Sequence, residues 1–115
     1  MGNKQVTRRV LAYIEENLDN DTDLDLEKIA QALNYSKYYV ARAFKESTGG
    51  TIHKYIQGIR LERAAEKLAE TTQPIIEIAL EAGYGSQQAF TPAFRAIYGC
   101  TPQEYRRLGG EMMAA

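Results

Sequence analysis

At 115 residues and 44% apolar content, the chain suffices for one or two small domains with modest cores. No apolar run nears the roughly 20 residues of a membrane helix, MGNKQVTRR lacks the apolar stretch of a signal peptide, and Cys100 is alone; no membrane partner and no internal disulfide are expected, and the expected location is cytoplasmic. The net charge of −1 hides a division: Glu15 to Glu27 holds seven acidic residues and no basic one, leaving fourteen basic against eight acidic residues elsewhere, so a phosphate-bearing partner is not excluded.

Val6, Val10, Ile14 and Leu18, with Leu11 beside them, form one apolar stripe and predict a helix over about 4–18. The polar stretch 19–23 predicts a loop. Asp25 is a suitable N-cap for a second helix over about 26–33, with Leu26, Ile29, Ala30 and Leu33 facing inward. Asn34 suits the turn because it tolerates the left-handed conformation. Ser36 then caps a third helix, about 37–47, with Val40 and Phe44 inward and Lys37, Tyr38, Ala41, Arg42 and Lys45 outward.

Gly49 and Gly50 end that helix, and Thr51 opens a fourth over about 52–70, roughly 28 Å long. Gly58 inside it costs about 1 kcal/mol, for close packing or for flexing between the two halves. Pro74 is expected as the first residue of a fifth helix, about 74–82, with Ile75, Ile78, Ala79 and Ala82 buried. Ser86 caps a sixth helix over about 87–97. Thr101-Pro102-Gln103-Glu104 is a capping box that starts a short seventh helix, about 102–108. The stretch 109–115 is expected to be disordered. No segment carries a strand signal.

The order of these elements contains one unit twice. Ile29, Ala30, Asn34, Tyr35, Ser36, Phe44, Lys45, Gly49, Thr51 and Tyr55 recur as Ile78, Ala79, Gly83, Tyr84, Ser86, Phe94, Arg95, Gly99, Thr101 and Tyr105. The offset is 49 residues to the tyrosines and 50 afterwards, because Gly85 is one extra residue. Each copy has the pattern of a helix-turn-helix. In such a unit the second helix enters the major groove of DNA, and its first turns touch base edges.

In the first copy the outward side chains on that helix are Lys37, Tyr38, Tyr39, Arg42 and Lys45, with Ser36 at its start. Arg42 suits bidentate contact with guanine, Lys37 and Lys45 suit phosphates, and Tyr38 suits a sugar or thymine methyl. In the second copy Ser86 and the helix start suit a phosphate, Gln87 and Gln88 suit adenine, and Thr91 and Arg95 continue the face. Tyr35, Tyr55, Tyr84 and Tyr105 recur at equivalent positions and are expected as packing residues. Two readers on one helix of roughly 28 Å could enter successive major grooves, which recur about every 34–36 Å.

The stretch IALEAGYGSQQAFTPAFRAIYGCTPQEYRR closely resembles the signature of AraC/XylS-type transcription regulators, and SKYYVARAFKESTGGTIHKYIQGIRLERAAEKL resembles the first half of the same domain. The resemblance covers about residues 5–108. It implies an all-α fold of seven helices, with helix-turn-helix subdomains over 1–50 and 71–108 joined by a linker helix over 51–70. It also implies double-stranded promoter DNA and RNA polymerase as partners, binding as a monomer per site, and base readers at Tyr38, Ala41 and Arg42 and at Gln87, Gln88 and Pro92. Relatives often carry a separate effector-binding domain, so the chain is expected either to act alone or to be the DNA-binding part of a longer protein.

Two of these positions depart from a DNA reader. Ala41 offers at most a methyl contact. Pro92 stands where the family usually has Arg or Lys, and it removes the helix bond to the Gln88 carbonyl, so a kink near Gln88 and a weaker second head are expected. The competing reading is a helical protein-interaction module with degenerate helix-turn-helix units. An enzyme is not expected, since no acid/base pair, activated nucleophile, metal cluster or phosphate loop is present. His53 has no ligand-spaced partners and Cys100 no activating neighbour in sequence, so neither a metal nor a cofactor is expected. Arg106 and Arg107 follow the last capping box and suit either backbone phosphates or solvent.

Overall fold

The structure, a computed structural model, describes residues 2–20 and 24–109. Among them run seven helices and no strand: α1 (Asn3–Asn17), α2 (Leu26–Leu33), α3 (Lys37–Thr48), α4 (Ile52–Glu70), α5 (Ile75–Glu81), α6 (Gln87–Tyr98) and α7 (Pro102–Arg107). The chain divides between Gly58 and Ile59 into two compact units. The division falls inside α4, so the first half of that helix belongs with the first unit and the second half with the other. The loop expected over 19–23 lies partly, and the disordered stretch expected over 109–115 mostly, outside the described residues.

In the first unit α1 packs chiefly on α3, with α2 against both. The buried residues of these helices are Val6, Val10 and Ile14 of α1, Ile29 and Ala30 of α2, and Val40, Ala43 and Phe44 of α3. Leu26 and Leu33, expected inward, are half-buried at the edge. Ile52 and Ile56 of α4 are buried as well, and Tyr55 sets its ring edge-on to Phe44 at 5.7 Å while staying 39% exposed. The second core joins Leu61, Ala64, Ala65 and Leu68 of α4 to Ile78, Ala79, Phe90 and Phe94. Phe44, Phe90 and Phe94 are fully buried, each worth about 1.5–3 kcal/mol of apolar transfer. Tyr84, Tyr98 and Tyr105 pack around Phe90 and Phe94, with Tyr98 stacked on Phe94 at 4.5 Å.

The helix ends follow local chemistry. Asp25 accepts from the Lys28 N–H at 2.9 Å, and Thr51 from the Lys54 N–H at 3.2 Å. Thr101 and Glu104 complete the capping box in both directions. Pro74 differs from expectation: its ψ of 140° keeps it outside the helix as the N-cap of α5, where its carbonyl accepts from Glu77 and Ile78. Its missing N–H costs nothing in either position.

Gly58 is not a close-packing glycine. It is exposed within α4, and a Cβ there would meet nothing within 4 Å. Gly58→Ala is therefore expected to stabilise the chain by about 1 kcal/mol, read as a higher midpoint in thermal unfolding. A lower midpoint would mean that the helix needs the flexibility of glycine there.

Candidate nucleic-acid interface

The two units build their turns with the same bonds. Asn34 takes φ 63° and Gly83 takes φ 91°, the left-handed region that ends α2 and α5. The next N–H then reaches back: Tyr35 donates to the Ala30 carbonyl at 2.9 Å, and Tyr84 to the Ala79 carbonyl at 3.0 Å. A serine follows in each. The Ser36 hydroxyl oxygen accepts from the Tyr39 N–H at 3.1 Å, and that of Ser86 from the Ala89 N–H at 3.1 Å. Each cap satisfies one of the N–H groups at its helix start; the two before it stay available to an anion.

On α3 the buried positions are Val40, Ala43 and Phe44, so the opposite face is centred on Tyr38, Arg42 and Lys45. All three are exposed, Tyr38 at 78%, the most exposed large apolar side chain among the described residues. Arg42 and Lys45 make no side-chain hydrogen bond or ion pair with described residues. Lys37 and Ala41 occupy one flank and are exposed. The Lys37 ammonium lies 3.8 Å from a Glu27 carboxylate oxygen and 5.5 Å from the Tyr38 ring centroid. Both partners of that ion pair are exposed, so it is worth only about 0–1 kcal/mol, and a phosphate can displace it. Tyr39 is on the other flank, half-buried, with its ring edge-on to Tyr35 at 5.6 Å.

The second reading face is poorer. Phe90 and Phe94 are buried, which turns Gln88, Pro92 and Arg95 outward at the positions equivalent to Tyr38, Arg42 and Lys45. Gln87 and Gln88 are exposed and make no side-chain bond to described residues. The helix passes Pro92 unbroken from Gln87 to Tyr98. Pro92 and Gln88 are both exposed, so water can serve the acceptor that the proline leaves without its N–H.

Thr91 differs from the expectation of an open reader. It is half-buried, and its hydroxyl donates to the Gln87 carbonyl at 3.0 Å within its own helix. Arg95 is exposed but lies in the field of Glu104, whose carboxyl is held below the usual range. The chief cause is the Thr101 backbone N–H, then the Thr101 side chain, with Arg95 and Arg107 adding to it.

Three residues outside the reading faces are also placed. Arg106 turns inward: its Nε donates to the Leu68 carbonyl at 3.0 Å, closing the C-terminus of α4. That bond spans 38 residues of sequence, and no local pattern announces it. Arg107 is exposed. Cys100 is 2% exposed, and burial pushes its thiol up, the opposite of an activated nucleophile. Among the described residues no group of three His, Cys, Asp or Glu could hold a metal ion, and no helix is long and apolar enough to cross a membrane.

Known proteins share this architecture. Residues 6–108 match a family described as a helix-turn-helix domain. The regulatory protein SoxS of Salmonella typhimurium is 37% identical over 106 residues, which span 92% of this chain and 97% of SoxS. The solved C-terminal domain of AraT, a response regulator from Geobacillus stearothermophilus, is 39% identical, with a TM-score of 0.81 over 90% of this chain and 84% of that one. The DNA-binding domain of AdpA, a global transcriptional factor solved in complex with a target DNA, is 25% identical, with a TM-score of 0.76 over 89% of this chain and 90% of that one. With its twice-built turn, its serine-capped second helices and a match over nearly its whole length, the chain belongs to the AraC-type helix-turn-helix family of DNA-binding transcription regulators.

Proposed function

We propose that the chain binds double-stranded promoter DNA sequence-specifically, as a monomer per site, with α3 and α6 in successive major grooves. The observation that carries this reading is the face of α3, where Tyr38, Arg42 and Lys45 stand exposed and the two cations have no described protein partner. Unpaired cations beside an exposed ring are a poor arrangement for a helix that only packs on protein, and a good one for a phosphate-lined groove. In this reading Arg42 reads guanine and Tyr38 packs on a thymine methyl or sugar. Lys37, Lys45 and the Ser36 helix start hold phosphates, with Tyr39 beside them. On α6, Gln87 and Gln88 read adenine while Ser86 and Arg95 hold the backbone, and Thr91 lines the flank.

Base edges recognised by Arg42 differ from those recognised by Gln88, so the site is asymmetric: two unlike boxes about one helical turn apart. The acidic residues Glu15, Glu16, Asp19 and Asp25 stay away from the DNA, whereas Glu27, beside Lys37, gives up its ion pair to a phosphate. RNA polymerase is the proposed protein partner, a role that rests on family resemblance. Regulation of transcription requires no reaction at this site, and no catalytic role is assigned. A protein-interaction module with degenerate units is disfavoured, because it gives Arg42 and Lys45 nothing to do.

Selection of bound sequences from a random duplex pool tests the reading. Two short unlike boxes, one turn apart, are the expected outcome. A single box would mean one working head, and no enrichment at all would overturn the proposal.

A further inference from the structure

We propose that Arg9, seated on Tyr35, is a backbone-phosphate contact flanking the first reading helix; this rests on the assignment of α3 as a DNA reader. Arg9 lies on α1, outside the helix-turn-helix, and is exposed. Its Nη1 donates to the Tyr35 hydroxyl at 2.7 Å, and its guanidinium carbon lies 5.3 Å from the centre of the Tyr35 ring. Tyr35 immediately precedes Ser36, the cap of α3, and its ring meets that of Tyr39 edge-on at 5.6 Å. The contacts therefore run from α1 through the turn to the flank of the reading helix.

Three features suit Arg9 to a phosphate. The guanidinium has five N–H donors, and Tyr35 takes one, leaving enough for a bidentate phosphate contact. No described carboxylate pairs with it, whereas Lys37 on the opposite flank already faces Glu27. The Tyr35 hydroxyl and ring hold the side chain in place before binding, which lowers the entropy lost on contact.

The second unit does not repeat the device. Tyr84 packs on Phe90 at 5.6 Å, and Ala89 stands where the first unit has Tyr39. An arginine does approach that turn, since Arg60 Nη1 lies 3.2 Å from where a Cβ on Gly83 would sit. It is half-buried and makes other contacts, so it is not a ready donor to a phosphate. The clamp thus adds to the asymmetry between the two heads.

The test compares the salt dependence of duplex binding for the wild-type chain, Arg9→Gln, Arg9→Lys and Tyr35→Phe, on a selected duplex and on an unrelated one. Losing one phosphate contact should flatten the slope of log K against log salt by about 0.9. It should lower affinity about fivefold near 0.15 M salt. Arg9→Gln should show both changes equally on the two duplexes, because a phosphate carries no sequence information. Arg9→Lys should restore the slope. Tyr35→Phe should weaken binding while keeping the slope, since the cation stays. An unchanged slope for Arg9→Gln, in a chain whose selected-duplex binding still falls in Arg42→Ala, would overturn the Arg9 assignment alone. Failure of the wild-type chain to bind any duplex would overturn the reading of α3, and this inference with it. A loss confined to the selected duplex would also overturn the phosphate role, since it would make Arg9 a base reader.

Discussion

Arg42→Ala is expected to weaken binding to the selected duplex by about 1–3 kcal/mol, roughly 5- to 150-fold, and to relax preference at one guanine. The side chain is exposed at the centre of the α3 face and has no described protein partner, so its removal leaves no buried group unsatisfied. Its neighbours in the core, Val40, Ala43 and Phe44, lie on the other side of the helix. Alanine also favours the helix, so thermal unfolding should stay unchanged or rise slightly. The measurement is a titration of labelled duplexes by anisotropy, with the guanine position varied through all four bases. Gln87→Ala should cost less than Arg42→Ala, because one neutral side chain from the poorer head is lost. Intact binding by Arg42→Ala together with abolished binding by Gln87→Ala would reverse the ranking of the heads.

The parts of this fold that were legible in the sequence are those decided within a few residues. Asn34, Gly49 and Gly99 take the left-handed conformation that ends their helices, which glycine reaches for want of a Cβ and asparagine tolerates. The hydroxyl oxygens of Ser36, Ser86, Thr51 and Thr101 accept from the backbone N–H three residues ahead, and Glu104 returns the bond to Thr101. Pro74 missed by one position, because the same fixed φ suits both the last extended residue and the first helical one, and only ψ separates them. Thr91 carried a readable signal: a threonine inside a helix can bond the carbonyl four residues back, and it does.

The residues that sequence misplaced or passed over depend on partners far along the chain. Arg106 finds the Leu68 carbonyl, and Arg9 finds Tyr35, 26 residues away. Gly58 was ambiguous because a helical glycine has the same local signature whether a neighbour crowds it or open space surrounds it. For the candidate site, the identity of the exposed readers followed from the helical period. The Glu27 carboxylate beside Lys37 did not, since Glu27 sits on a different helix.

Pro92→Arg is expected to strengthen both the second unit and its grip on DNA. Pro92 lies inside α6, at the position equivalent to Arg42 on α3. An internal proline costs about 3 kcal/mol in an ordinary helix, through the lost bond and the clash of its ring. Much of that cost persists here, because Phe90 and Phe94 on the opposite face hold the helix in its core on either side of the proline. Restoring the N–H lets residue 92 donate to the Gln88 carbonyl again, and the midpoint of thermal unfolding should rise by several degrees. The new guanidinium would project from an exposed position between Gln88 and Arg95, clear of the core. It should add a phosphate contact that steepens the salt slope by about 0.9, or a guanine contact worth about 1–3 kcal/mol on a duplex carrying guanine there. Pro92→Ala separates the two effects, since it restores the bond without the charge. It should raise the unfolding midpoint like Pro92→Arg while leaving affinity and salt slope near those of the parent. If Pro92→Ala alone recovered the full gain in affinity, helix geometry rather than the missing cation would be what limits the second head. If Pro92→Arg changed neither slope nor affinity, this face of α6 would not lie against DNA.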